Sequence, residues 1–558
     1  MNPDEQHTDA ADDKASLWHW LIFAALMILA ALMRWRNHAH MSIWYDEGFS
    51  FVLINKPWAE MMHIIRTDDH PPLYYYFLRG WMALFPGSPA DGVDYAAWGR
   101  KLSMLFGWIA LIPGYVYARS LFGRRTALAF LALMAANPYL IHYSHEARMY
   151  TLLLNFAILS HWAVWQLREK WRWGWAALWC VSGMLMLYTH YYALALVMGQ
   201  FFCLATWLRR QIKSWGKTLS TLAILGFAVF LLYWHWLYWF FVQLMNNTAG
   251  GVHSHHGQVT RHMLVFYLDP FLGRIPNLPL DPLVQWLREI HLLSQPHGPE
   301  LLSPLQKILF AVALCLMLIG CTVYLQRKER LLWIYIAWTL VFPLLFTFFI
   351  YQIELEGRLY GRLLIIHWAP FFVLVASGAS GNSDGEKAWH NKSRATLYII
   401  VLFTFIASWS MYSVKDERGV QLFLYQQAIA QTPRDLPVYH SSQHSLFPIM
   451  TYERMNPRHK FLLRGEQSLI VCMLAGNDCL IKPSKAQKKI QLPCLLVVYN
   501  EIYLLNQRER EEKKNAIVLD CLSKFFPENS IATPLFDFGM RKWGRVLYVQ
   551  PPPSPADD

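Results

Sequence analysis

The chain has 558 residues, 55% of them hydrophobic and 16% charged, against about 45–50% and about 25% in soluble domains. Its 26 Trp, 28 Tyr and 33 Phe, together with long apolar runs between positions 17 and 413, exclude a soluble enzyme, a disordered protein and a disulfide-stapled miniprotein. The net charge of +12 lies in small clusters between apolar runs and not along one stripe, which excludes a nucleic-acid-binding face and reads as membrane topology.

In chain order, an acidic tail at 1–16 (Asp4, Glu5, Asp9, Asp12, Asp13) precedes eleven continuous apolar stretches of spanning length. They lie at about 17–33, 99–118, 126–141, 149–167, 174–188, 191–208, 218–244, 306–325, 331–351, 363–379 and 395–413. Unbroken runs of this length indicate helices, because a barrel shows short alternating segments. The first is expected to remain uncleaved, since its flank is acidic and its apolar stretch exceeds that of a signal peptide. Two pairs are tightly joined, around Tyr143–Glu146 and around Thr189–His190.

Every second loop is basic: Arg119, Arg124 and Arg125; Arg168, Lys170 and Arg172; Arg209, Arg210, Lys213 and Lys217; Arg327, Lys328 and Arg330; Lys387, Lys392 and Arg394. The positive-inside rule makes these loops cytoplasmic. It puts the 1–16 tail in the cytoplasm and everything after 413 outside. Arg34 and Arg36, after the first span, dissent.

This topology expects a membrane domain at 17–413, external loops at about 34–98 and 245–305, and an extracytoplasmic soluble domain at 414–558. In that last segment Leu436–Tyr439, Lys460–Leu463, Cys494–Tyr499 and Val546–Val549 read as short buried strands, with a helical pattern over Ile502–Phe526, so an α/β domain is expected. Cys472, Cys479, Cys494 and Cys521 all fall there; two disulfides are permitted in three connectivities, with Cys472–Cys479 preferred.

Chemistry gathers on the external side. The first loop carries Trp44-Tyr45-Asp46-Glu47-Gly48 and then Asp68-Asp69-His70-Pro71-Pro72-Leu73-Tyr74-Tyr75. A carboxylate at a membrane exit is placed to act as general base on an acceptor hydroxyl; the plainer reading is an acid at a helix start, where the dipole favours it. His145-Glu146-Ala147-Arg148-Met149-Tyr150 forms a second cluster, read either as a site acid or as a charge pair at a helix end. Glu354, Glu356, Arg358 and Arg362 form a third. Ionisable groups at that depth are costly and usually functional, and arginine there suits a phosphate. In the loop at 245–305, His253, His255, His256 and His262 are candidate ligands for a divalent metal, or part of a polar loop.

The Asp-Glu pair after the first span, the His-Pro-Pro-Leu-Tyr-Tyr of the same loop, and the Glu-Ala-Arg-Met-Tyr opening the fourth helix resemble membrane glycosyltransferases of the GT-C class. The likeness is to the bacterial branch related to protein O-mannosyltransferases, aminoarabinose lipid A transferases and rhizobial lipopolysaccharide galacturonosyltransferases. Arg362-Leu363-Leu364, followed by Pro370, is similar to the Arg-Tyr-Leu…Pro pattern of that branch. The resemblance covers about 40–410. It implies an all-α polytopic GT-C fold with a C-terminal extracytoplasmic α/β domain. It implies an inverting hexosyl or pentosyl transferase in the bacterial inner membrane, using a polyprenyl-phosphate-linked donor and a protein, lipid or polysaccharide acceptor. Carried over by motif, Asp46 matches the catalytic acid, with Glu47 beside it and Glu146 as a second site acid. Asp69 and His70 match the positions beside Pro-Pro that face the donor phosphate, and Arg362, with Arg358 or His70, is expected to hold that phosphate. Asp69 stands where relatives carry a metal-binding acid, and His255 and His256 of the loop at 245–305 are the further candidate ligands for a divalent metal ion. His70 stands where relatives carry Lys, and it is charged only part of the time near neutral pH.

Two rival readings exist. A lipid or solute transporter is also polytopic, but it usually shows a repeat with discontinuous helices, and no repeat is visible here. A membrane scaffold leaves Asp46, Asp69, Glu146 and Arg362 on one face without an explanation.

Overall fold

A computed structural model describes residues 17–36, 38–39, 43–68, 70–86, 92–249, 330–343, 345–346, 365–377, 435–440, 443–452, 458–462, 480–481, 490–501, 507–528, 530–538 and 542–552. The spans expected at 306–325 and 395–413, and Cys472 and Cys479, lie outside the described residues. The helices are α1 (Leu17–Trp35), α2 (Tyr45–Ile54), α3 (Trp58–Thr67), α4 (Leu73–Met82), α5 (Gly92–Ile109), α6 (Leu111–Ala136), α7 (Pro138–Ser144), α8 (Tyr150–Gln166), α9 (Trp173–Thr189), α10 (Ala193–Gln211), α11 (Trp215–Ala249), α12 (Arg330–Ile336), α13 (Trp368–Ser377), α14 (Gln443–Tyr452) and α15 (Gln507–Phe525). A π-turn, Ala337–Val341, continues α12. The strands are β1 (Val438–His440), β2 (His459–Leu462), β3 (Leu480–Ile481), β4 (Cys494–Glu501), β5 (Ile531–Phe538) and β6 (Lys542–Gln550). Two compact units result: Met1–Arg36 with Ser103–Val414, and Asn37–Leu102 with Lys415–Asp558. The segment 37–102, which the topology assigned to the membrane domain, thus shares a unit with the C-terminal segment.

The first unit is helical. Among the described residues, three helical runs are long and apolar enough to cross a membrane: Leu17–Trp35, Asp94–Ala136 and Trp215–Met245. On α11, Phe227, Leu231, Trp234 and Tyr238 are exposed, an apolar surface that water does not tolerate in a monomeric soluble protein. The basic turn at Arg119–Arg125 is a tight junction where two helices meet within α6, broken at Gly123 with φ 83°. That backbone is accessible to glycine without the Cβ penalty. The span expected at 126–141 is cut at Asn137. Proline at 138 pushes the residue before it out of the helical region. Asn137, at ψ 121°, then caps α7 by accepting a bond from the Leu140 amide at 3.0 Å. Polar side chains inside the bundle bond across helices. Trp179 donates to Gln200 (2.8 Å), Gln200 donates to Ser160 (2.9 Å), and the Tyr117 and Tyr335 hydroxyls meet at 2.7 Å.

The second unit contains a six-stranded sheet in the order β3-β2-β1-β4-β6-β5. Strands β1 to β4 pair in parallel, and β6 runs antiparallel to β4 and β5. The four strand segments read from the sequence overlap β1, β2, β4 and β6. Period-two alternation in β4 divides its side chains between two cores. Cys494 and Leu496 pack with Tyr439, Leu547 and the α15 residues Val518, Cys521 and Phe525. Leu495 and Val497 pack with Val438, Val546 and the α14 residue Ile449. Among the described residues, α15 packs on one face of the sheet and α14 on the other. Burial pushes the Cys494 thiol up to about 12.

Candidate active-site residues

In the second unit the adjacent carboxylates at the start of α2 separate. Successive helical residues point about 100° apart, so one side chain enters the core while its neighbour faces outward. Glu47 is buried, and its carboxylate receives two parallel bonds from Arg100 on α5: Nε to Oε1 at 2.8 Å and Nη2 to Oε2 at 2.7 Å. Both partners are 1% exposed. The remaining Nη1 donates to the His38 carbonyl at 3.0 Å. A bidentate guanidinium–carboxylate pair fixes orientation as well as charge. Asp46 is half-buried in the first turn. Its carbonyl accepts a bond from the Ser50 hydroxyl at 2.8 Å, which ties the backbone one turn on.

At the other end of the same loop, Asp68 ends α3 and is buried. Its Oδ2 lies 3.3 Å from His70 Nδ1. Pro72 then precedes α4. Asp69 itself lies outside the described residues, as do His255, His256, Arg358 and Arg362. Among the described residues, no group of three or more His, Cys, Asp and Glu side chains gathers to hold a metal ion.

In the first unit, Glu146 is buried in the turn between α7 and α8, with Oε1 3.1 Å from His142 Nε2. The break at Asn137 sets this pair: α7 presents His142 one turn before Glu146. Beside it, His145 Nε2 lies 2.5 Å from the Arg34 carbonyl, and the Arg148 carbonyl accepts from Ser103 at 3.1 Å. Arg34 is buried, and its guanidinium donates to the carbonyls of Ala30 (3.2 Å), Met134 (3.3 Å) and Ala135 (3.4 Å). The last two are orphan acceptors at the C-terminus of α6, where a cation is favoured by the dipole. Arg34 is therefore a helix-end residue and not a loop charge, which accounts for its dissent from the basic-loop pattern.

The sequence reading missed Arg100, Asp68 and His142 as partners. His142 had a signal, its i,i+4 spacing to Glu146. Asp68 stood beside the nominated Asp69. Arg100 had none, being 53 positions from Glu47.

Residues 69–249 match the family described as dolichyl-phosphate-mannose-protein mannosyltransferase. Among solved structures, the Archaeoglobus fulgidus oligosaccharyltransferase tethered with an acceptor peptide is similar at a TM-score of 0.50. It is 12% identical, and the alignment covers 94% of this chain and 74% of that one. ArnT from Cupriavidus metallidurans, crystallised with undecaprenyl phosphate, gives a TM-score of 0.47 at 13% identity, covering 96% of this chain and 98% of that one. None of the curated proteins matches the chain. The stretch matched by the family contains the His-Pro-Pro and Glu-Ala-Arg motifs, and the oligosaccharyltransferase likeness is one of fold.

Proposed function

We propose that this chain is a multi-pass enzyme of the bacterial inner membrane that moves a hexose or pentose from a polyprenyl-phosphate donor to an acceptor hydroxyl on the external face, with inversion. About eleven spans, a cytoplasmic amino terminus and an extracytoplasmic α/β region complete the reading. The match of residues 69–249 to a lipid-phosphate-sugar transferase family carries the reaction class.

The step is a displacement. The acceptor oxygen attacks the anomeric carbon from the side opposite the phosphate, its proton passes to a base, and the bond from that carbon to the phosphate oxygen breaks. Asp46 serves as the base. Support for choosing it over its neighbour is that Glu47 is committed to Arg100 while Asp46 is half-buried at the helix start. Glu47 orients the turn, and Glu146, held by His142, acts as a second site acid. The departing polyprenyl phosphate needs its charge stabilised, a role assigned to His70, Arg358 and Arg362, since guanidinium stays protonated across the working range. Asp69, His255 and His256 are the candidate ligands for a divalent ion, and no step is routed through it. The acceptor is a protein, lipid or polysaccharide hydroxyl.

The test uses the purified chain with radiolabelled polyprenyl-phosphate hexoses and pentoses and native membrane extract as acceptor. Transfer should be detectable, and Asp46→Asn should lower turnover by about two orders of magnitude or more with donor binding intact. Transport of the donor without cleavage would overturn the reaction class. Near-normal turnover in Asp46→Asn alongside a dead Glu146→Gln would move the base to the turn before α8.

A further inference from the structure

The start of α2 is held from a side that the sequence keeps about four hundred positions away. Gly48, directly after the two carboxylates, meets α14 of the C-terminal segment. A Cβ on Gly48 would lie 2.7 Å from the Pro448 nitrogen and 2.8 Å from the Phe447 carbonyl carbon. Both neighbours are backbone, so no rotamer change could make room for it. The pair is matched: glycine removes the side chain on one face, and proline removes the amide hydrogen on the other. Two backbones thus meet where a side chain at position 48 would clash.

The Phe447 ring extends the grip to both sides of Asp46. It stacks on Tyr45 (centroids 5.7 Å apart, planes at 28°) and meets Phe49 edge-on (6.3 Å, 73°). Phe447 is fully buried. Its helix is anchored in turn, since Ile449 packs into the core formed by Val438, Leu495, Val497 and Val546 of the sheet. On the opposite flank Arg100 fixes Glu47. The turn bearing Asp46 is therefore clamped between an ion pair and the sheet-mounted helix α14.

We propose that Phe447 and Pro448 are positioning residues for Asp46, so that the C-terminal sheet, acting through α14, sets where the base stands. This rests on the reading of Asp46 as the general base. It makes the C-terminal segment a structural part of the transferase site and not an appendage.

The full-length chain is assayed with the radiolabelled polyprenyl-phosphate sugars and membrane extract. Gly48→Ala forces α2 away from α14; Phe447→Leu keeps an apolar side chain but removes both ring contacts. In each, kcat should fall by about ten- to hundredfold, because a shift near 1 Å at the reacting centre can cost that much. The donor KM should stay within about twofold. The acid limb of the kcat/KM–pH profile should move by about half a pH unit or more, as the base changes surroundings. A purely structural role would lower the yield of folded protein and leave that limb where it is. Should Gly48→Ala fail to fold, Phe447→Leu decides. Turnover within about twofold of wild type in folded Phe447→Leu, or an unmoved acid limb, overturns the proposal. Asp46→Asn separates the two failures. If it is inactive while Phe447→Leu is normal, only the positioning role falls; if it is active, the assignment of the base falls first.

Discussion

Replacing Arg100 by alanine should be among the most damaging single changes in the second unit. The guanidinium makes two charge-assisted bonds to Glu47 and one to the His38 carbonyl, and both charged partners are 1% exposed. Truncation leaves a carboxylate buried without its cation and a backbone acceptor without its donor. Breaking a buried pair from one side costs about 3–5 kcal/mol. At about 2–4 °C per kcal/mol for a unit of this size, the midpoint of thermal unfolding in detergent should drop by roughly 6–20 °C. Arg100→Met combined with Glu47→Leu removes both charges and should recover most of the loss, since apolar replacement of a whole buried pair is often close to neutral. Near-UV circular dichroism on the purified full-length chain reads both variants. A drop equivalent to less than about 1 kcal/mol in Arg100→Ala, or a double variant as unstable as the single one, would refute the claim that a desolvated pair holds α2.

Three further outcomes are expected. Arg362→Ala should weaken binding of the polyprenyl-phosphate donor, measured by direct titration, more than binding of the acceptor; equal donor affinity would count against Arg362 as a phosphate ligand. Gly199→Val should cripple folding of the first unit, because a Cβ at Gly199 would strike the Trp338 carbonyl oxygen of the π-turn, and wild-type yield and melting would show that α10 and the π-turn are not so closely apposed. The Cys494 thiol, pushed up to about 12 by burial, should resist iodoacetamide at pH 8, where about one thiol in ten thousand would be ionised. Alkylation mapped by mass spectrometry should accelerate by about a thousandfold on unfolding, and rapid labelling of folded protein would contradict its burial.

What the sequence disclosed and what it hid follow one division. Patterns with a short period were legible. The apolar runs placed α8, α9, α10 and α11 to within a few residues, and short continuous apolar runs located β4 and β6. Single-residue punctuation was underestimated: Gly123 makes the junction within α6 as tight as a single residue, and Asn137-Pro138 ended a helix that composition alone would have continued. Partners across long separations were invisible. No local signal joins Glu47 to Arg100, Gly48 to Pro448, or Arg34 to the carbonyls at the end of α6.

That hidden layer decides how the two acids of the Asp-Glu motif divide their work. Both sit in the first turn of α2, where the dipole favours either of them, and as letters they are interchangeable. The Arg100 fork breaks the symmetry, because it can be satisfied only by the residue that the helix turns inward, and glutamate has the reach to meet it. Exchanging the pair, so that aspartate faces Arg100 and glutamate faces outward, shortens the inward arm by one methylene and lengthens the outward one. The ion pair then loses its parallel geometry, and the carboxylate proposed as the base overshoots its position. Asp46→Glu with Glu47→Asp should therefore lose both stability and turnover, although composition, charge and motif class are unchanged. A swapped chain that melts and turns over like wild type would mean that the order of the two carboxylates carries no structural information.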